Sequence, residues 1–230
     1  MNITTYDELI NDLIKEKITM VDYNSFKMVL HHYDNIDKID GDIVECGCWR
    51  GGFSIFLSHV FVDKNIWACD SFKGFQPLSN AKYKYDKEVF TPDVYSTEIG
   101  PFPINLTSVQ NNFIKYDLSI DDGRIKFVEG FVKDSLPTSG INKIALLRID
   151  VDAYSATLEV LDELYDKVQP GGYIIFDDAP LYTSFDAIQE FFKKKNIEYY
   201  MYHPVTDEKL DMKGGRHVFP QGSYIIKNNV

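Results

Sequence analysis

The sequence predicts an α/β fold: a parallel sheet with helices on both faces, a helical extension ahead of it and an antiparallel hairpin at its end. Three observations carry this prediction. Short apolar runs of strand length alternate with stretches of helical periodicity. The polar motifs fall at the carboxyl ends of such runs, where doubly wound sheets bind ligands. The last two strand-like runs follow one another with no helix between them.

The elements read in order. Residues 6–32 carry Leu9, Ile10, Leu13 and Ile14, then Phe26, Val29 and Leu30, at helical spacing. They form a helical extension over residues 1–40, and residues 41–230 form the main domain. Residues 42–46 are a first strand and 47–52 a glycine-rich turn. Residues 53–61 are a helix and 65–70 a second strand. Residues 73–103 are polar and rich in Pro and Tyr, long for a plain connection, and suited to a lid. A helix over 106–118 precedes strands at 124–129 and 144–150. The latter is apolar apart from Arg148 and the closing Asp150 and so is central. A helix over 154–168 is stopped by Pro170, Gly171 and Gly172. Residues 173–177 are a fifth strand and 185–195 a helix. Strands at 198–202 and 222–227 make the hairpin, with the polar residues 207–216 at its tip.

The chain has 230 residues, 44% hydrophobic and 26% charged, enough for one domain with a sizeable core. Its formal net charge of -11 argues against nucleic-acid backbones and anionic membrane surfaces as partners. It is compatible with a neutral or cationic small molecule. The N-terminus lacks the apolar segment of a secretory signal, and no stretch has the length to span a bilayer. Three cysteines, Cys46, Cys48 and Cys69, form no disulfide or zinc framework, so reduced thiols and a cytoplasmic location are expected.

Three motifs carry chemistry. The first is Glu45-x-Gly47-x-x-x-Gly51-Gly52, joining strand to helix. Glycines admit a ligand close to the backbone, and an acidic lead residue suits a cationic ligand end better than a pyrophosphate. The second is Asp70, at the end of the next strand, where an acid hydrogen-bonds a ribose diol in nucleoside-binding sheets. The third is Asp150 and Asp152 after one strand with Asp177 and Asp178 after the next. Four carboxylates at neighbouring strand ends repel unless a cation is present, and hard oxygen ligands select Mg²⁺, Ca²⁺ or Mn²⁺. The plain alternative is four helix N-caps. His31 and His32 are expected at a helix surface or boundary and His59 in a structural role, while His203 and His217 could face a substrate. No Ser or Cys pairs with a histidine at triad spacing.

Taken together, GDIVECGCWRGGFS (41–54), ACDSFKGFQP (68–77), FVEGFVKDSLP (127–137) and LLRIDVDAYSATLEVLDELYDKVQPGGYIIFDD (146–178) resemble the macrocin O-methyltransferase family. The resemblance implies a Rossmann-like class I methyltransferase sheet, with S-adenosylmethionine and Mg²⁺ or another divalent cation as cofactors. It implies a small-molecule acceptor whose hydroxyl belongs to a sugar, glycoside or other natural product. Self-association into a homo-oligomer is compatible with it. Carried over by motif, Glu45, Cys46, Gly47, Gly51 and Ser54 belong to the cofactor turn. Asp70, Ser71 and Phe72 belong to the ribose-side loop, and Gly130 and Phe131 to the stretch beside the adenine. Asp150, Asp177 and Asp178 are the implied metal ligands. No histidine lies between His59 and His203 to match the family's lid histidine; Asp150 or Asp152, at short range from the metal-bound hydroxyl, could accept its proton. The rival readings are a non-catalytic nucleoside- or sugar-binding module of the same fold and a nucleotide-dependent oxidoreductase. The absence of G-x-G-x-x-G disfavours the oxidoreductase.

Overall fold

The computed structural model describes residues 5–76, 84–89, 96–97, 100–101, 104–211, 213 and 215–228. The lid segment expected at 73–103 lies largely outside them. Three helices come first: α1 (Tyr6–Lys15), α2 (Tyr23–His31) and α3 (Tyr33–Asp37). A capping box starts α1, in which Thr5 Oγ1 accepts from Glu8 N–H and the Glu8 carboxylate accepts from Thr5 N–H. Asp22 caps α2.

The main domain continues with β1 (Asp42–Cys46), α4 (Gly52–Val60), β2 (Ile66–Asp70), α5 (Lys84–Val89) and a two-residue pair, β3 (Ser96–Thr97) and β4 (Gly100–Pro101). Then come α6 (Leu106–Lys115), β5 (Ile125–Glu129), α7 (Val132–Ser135), β6 (Ile144–Ile149) and α8 (Tyr154–Leu164). The chain closes with β7 (Val168–Phe176), α9 (Tyr182–Lys195) and β8 (Ser223–Ile226).

Six strands form one sheet in the order β5-β2-β1-β6-β7-β8. Every neighbouring pair is parallel except β7 with β8. The order reverses between β1 and β6, which opens a crevice at their carboxyl ends. The two faces are covered differently. Leu9, Leu13, Phe26 and Val29 of the first helices pack with Phe53 and Phe56 of α4 and Phe113 of α6. On the other face, Val160 and Leu164 of α8 and Ile188 and Phe192 of α9 cover Val44, Leu147 and Ile174. Burying these rings and aliphatic chains is the main stabilising term, about 1.5–3 kcal/mol for each large apolar side chain.

Two elements depart from the sequence reading. The Pro170-Gly171-Gly172 run does not precede the fifth strand but lies inside it, because β7 starts at Val168. Gly171, at φ +79°, donates its N–H to Lys227 O at 2.8 Å, and Lys227 N–H bonds Gly172 O at 2.8 Å. Pairing with the C-terminal segment therefore carries the strand across the break. The strand expected at 198–202 is reduced to bridges at Tyr202. Tyr202 exchanges backbone bonds with Tyr224 on β8, but the neighbouring Met201 carbonyl accepts from Leu210 N–H, so the ladder divides between two partners.

Candidate active site

At the reversal point, β1 and β6 lie in register with Glu45 opposite Arg148. Arg148 is fully buried. Its Nη1 lies 2.6 Å from Glu45 Oε1 and 2.8 Å from Asp150 Oδ2, and its Nη2 lies 2.6 Å from Asp177 Oδ1. The Asp177 contact is a charge contact rather than an aligned hydrogen bond, which leaves Asp177 Oδ1 without a hydrogen-bonding donor. One guanidinium thus ties together carboxylates from the ends of β1, β6 and β7. Burial works against its charge, but Asp177, Asp150 and Glu45 outweigh burial and hold Arg148 protonated above its ordinary range. Ser54 Oγ also donates to Glu45. Both Glu45 oxygens are therefore engaged within the protein, so the acid of the glycine turn anchors Arg148 while it also lines the adjoining cavity.

Asp150, Asp177 and Asp178 each bring one carboxylate oxygen within 4.8 Å of the others. Burial, and then repulsion by neighbouring aspartates, pushes the Asp178 carboxyl well above its usual range. Burial does the same to Asp150, opposed by Arg148 and reinforced by Asp177. Asp152 rises to about 6, through burial and then Asp177. An acidic trio with an undonated buried oxygen has the donor chemistry for a hard divalent cation.

These aspartates do not cap the helices that follow them. Among the described residues, Tyr154 N–H and Ser155 N–H at the start of α8 donate to Asp86, at 2.8 and 3.1 Å. The local N-cap of α8 is Ala153 and that of α9 is Leu181, neither with a capping side chain. Asp178 instead accepts from the backbone N–H of Asp152 at 2.8 Å. That bond fixes the Asp152 turn, where φ is +55°.

Asp70 closes β2. Its two oxygens accept from Trp49 N–H and Phe72 N–H, each at 2.8 Å. Burial raises its pKa, and those two donors oppose the rise. The bonds fix the carboxylate's direction while leaving lone pairs for a ligand.

A cavity of about 890 Å³ joins these groups. Of the residues singled out from sequence, Glu45, Gly47, Asp70, Ser71, Phe131, Asp150, Asp152, Asp177 and Asp178 line it. Cys46, Gly51, Ser54, Phe72 and Gly130 are not among its lining residues. Gly51, at φ +84°, is needed for packing: a Cβ there would lie 2.7 Å from Phe113 Cε2 and 3.1 Å from Val109 Cγ1. At Gly47 a Cβ would lie 1.6 Å from Asp150 O, so the glycine lets the β6 exit cross beside it. His203 and His217 do not line the cavity, and His203 Nδ1 instead accepts turn N–H groups from Val205 and Thr206. Acidic side chains far outnumber basic ones on the wall, and Lys133 is the one basic side chain among its described lining residues.

Comparison with known proteins places this geometry. The model of the macrocin O-methyltransferase family (TylF) matches residues 11–207, more than half the chain. The chain belongs to the macrocin O-methyltransferase family. It is 33% identical over 185 residues to a mycinamicin III 3''-O-methyltransferase of Micromonospora griseorubida, covering 77% of this chain and 68% of that protein. It is 32% identical over 160 residues to 8-demethyl-8-(2,3-dimethoxy-alpha-L-rhamnosyl)-tetracenomycin-C 4'-O-methyltransferase of Streptomyces olivaceus, covering 67% of this chain and 59% of that one. The solved structure of the O-methyltransferase NovP superposes with a TM-score of 0.78 at 27% identity, covering 92% of this chain and 82% of that chain. The α/β fold is that of a class I methyltransferase, and this member of the macrocin family is an S-adenosylmethionine-dependent O-methyltransferase. Among the described residues, no helix is long and apolar enough to cross a membrane.

Several wall residues of this methyltransferase were missed by sequence reasoning. Tyr154 on α8 donates its hydroxyl to Glu190 on α9, and both line the cavity. Glu190 carries no local signal, since only the packing of α8 on α9 brings it there. Asp86 lies in the segment read as a lid, and nothing in its neighbours marks it as a cap for a helix 68 residues away.

Proposed function

We propose that this protein moves the methyl group of S-adenosylmethionine to a hydroxyl of a sugar or glycoside in a small natural product, with Mg²⁺ or a similar divalent cation held by Asp150, Asp177 and Asp178. The observation that carries this reading is the meeting of those three carboxylates at the strand-order reversal, within one cavity that also contains Asp70. The relatives' names, one for a rhamnosyl compound, support the acceptor class.

Asp70, held by Trp49 and Phe72, takes the ribose diol. Ser71 and Phe72 belong to the same ribose-side loop, and Gly130 and Phe131 shape the adenine side, with Phe131 on the wall and Gly130 behind it. Gly47 keeps the floor of the site open, while Cys46, Gly51 and Ser54 support it from behind. Alignment of the acceptor oxygen with the methyl carbon and sulfur is the chief contribution of such a cleft. When bound, the cation supplies Lewis acidity that eases loss of the acceptor hydroxyl proton. Asp152, whose pKa of about 6 suits a base at neutral pH, receives that proton, with Asp150 as its neighbour. The acidic wall disfavours anionic acceptors and suits neutral or cationic ones.

The test is methyl transfer from isotopically labelled S-adenosylmethionine to a panel of glycosides and catechols, with Mg²⁺ or with excess chelator. Label in a glycoside hydroxyl only when Mg²⁺ is present supports the reading. Label in a glycoside in excess chelator would overturn the cation, and label in the catechols alone would overturn the acceptor class.

A further inference from the structure

The C-terminal end of α2 meets the turn after Tyr202, away from the cavity. His31 Nε2 lies 3.0 Å from Asp207 Oδ2, and His32 Nε2 lies 3.0 Å from Asp207 Oδ1. One ligand atom from each of the three lies within 4.8 Å of the others. Ligands about 2.0–2.1 Å from a tetrahedral cation stand about 3.3 Å apart, so small side-chain shifts suffice for all three to ligate.

The surroundings already have the form of a ligand support. His32 Nδ1 lies 3.3 Å from Tyr173 Oη. With the proton on Nδ1 donated to that oxygen, the Nε2 lone pair faces Asp207 and also Tyr224 Oη, 3.0 Å away, as in a metal-binding histidine oriented through its other nitrogen. Tyr224 Oη donates to Asp207 Oδ1 at 2.7 Å and steadies the carboxylate. The His31 side chain is 65% exposed and that of His32 10%, so the group has an entry side and a closed side. None of the three lines the acceptor cavity. Two imidazoles and a carboxylate select Zn²⁺, Co²⁺ or Ni²⁺, whereas the all-oxygen trio of Asp150, Asp177 and Asp178 suits Mg²⁺.

We propose that His31, His32 and Asp207 form a second metal site, for Zn²⁺ or a similar transition metal, that staples α2 to the C-terminal turn. Asp207 is 175 residues or more from the two histidines in the chain. A cation bound only by the native arrangement raises the melting temperature by mass action.

The experiment is equilibrium dialysis of the full chain against Zn²⁺ in excess Mg²⁺, with metal content measured and thermal shifts recorded. It compares the unsubstituted protein with His31→Gln, Asp207→Asn and Asp178→Asn. His31 is exposed, so H31Q keeps the fold and tests the ligand alone. Expected is one Zn²⁺ per chain with a rise in melting temperature, affinity at least tenfold weaker in H31Q and D207N, and unchanged Zn²⁺ binding in D178N. No Zn²⁺ retained, or H31Q binding as tightly as the unsubstituted protein, would overturn the site and leave a carboxylate–imidazole hydrogen-bond network only. Loss of Zn²⁺ in D178N alone would put the ion among the aspartates and equally overturn it.

Discussion

Arg148→Met removes the charge at the centre of the crevice while keeping much of the apolar volume. In the native protein the guanidinium is fully buried, at 2.6 to 2.8 Å from Glu45, Asp150 and Asp177, and lies 4.4 Å from the centre of the Phe53 ring. Removing one partner from a buried ion pair costs roughly 3–5 kcal/mol, because the other charges stay buried. For a chain of this size each kcal/mol moves the melting temperature by about 2–4 °C, so a fall of about 6–20 °C is expected at pH 8 in chelator. The pH dependence has a definite sign. Folded-state pKa values of Glu45 and Asp150 are already raised above their ordinary values, by burial first, even with Arg148 beside them. Without Arg148 they rise further. A group with a raised folded pKa contributes stability that is fully present below its unfolded pKa, about 4, and lost as pH rises through the folded value. The gap between R148M and the unsubstituted protein should therefore narrow as pH falls from 8 toward 5. Differential scanning calorimetry at the two pH values checks this. A fall of less than about 2 °C at pH 8, or a gap that widens on acidification, would refute the view of Arg148 as the hub of the site.

Four further outcomes are expected. Asp70→Ala should weaken S-adenosylmethionine binding by about 1.5–3 kcal/mol, roughly ten- to a hundredfold, and unchanged affinity by calorimetry would remove Asp70 from the cofactor site. Gly51→Ala should lower stability by about 1–3 kcal/mol, through its left-handed backbone and the contact with Phe113, yet leave cofactor affinity close to native; the reverse pattern would return Gly51 to the ligand wall. Chelation should abolish turnover and Mg²⁺ restore it, while Asp178→Asn loses activity but keeps cofactor affinity; full activity in excess chelator would leave the aspartates without a metal role. Asp86→Ala should cost about 0.5–2 kcal/mol by uncapping α8, read as faster hydrogen exchange at Tyr154 and Ser155.

What the sequence made legible was local. The run 144–150 is apolar, ends in aspartate and becomes β6, with the expected Asp150 at its exit, because period and strand-end chemistry are both written in neighbouring residues. The same holds for Asp70 and Asp177. Gly51 was visible as a glycine but its partner was not: Phe113 is 62 residues away, and a ligand and a phenylalanine ring ask the same smallness of that position. The reading of 198–202 as a strand failed for a related reason. Its alternation is genuine, with Met201 buried and Tyr200 exposed, but a strand also needs an unshared partner, and the bridge segment at Lys209 and Leu210 competes with β8 for its backbone. Arg148 stands out in sequence as a charged residue within an apolar strand, yet its three-way contact depends on the β1–β6 and β6–β7 registers, which no local pattern encodes.

The position of Arg148 also bears on what the crevice can hold. Its contacts engage one oxygen each of Glu45, Asp150 and Asp177 and none of Asp178. A single positive charge therefore faces more than one buried carboxylate, and the remainder must be met by protons or by a ligand. Asp150 and Asp178, well above their ordinary range, and Asp152, at about 6, are the groups on which such protons would sit. A divalent cation at Asp150, Asp177 and Asp178 would displace them, so uptake of Mg²⁺ should release protons below the raised pKa values and few or none above them. Calorimetric titrations of Mg²⁺ in two buffers of different ionisation enthalpy, at pH 6 and pH 9, measure that release directly. No proton release at either pH would mean that the aspartates are already ionised before the cation arrives, and that Arg148 alone balances them.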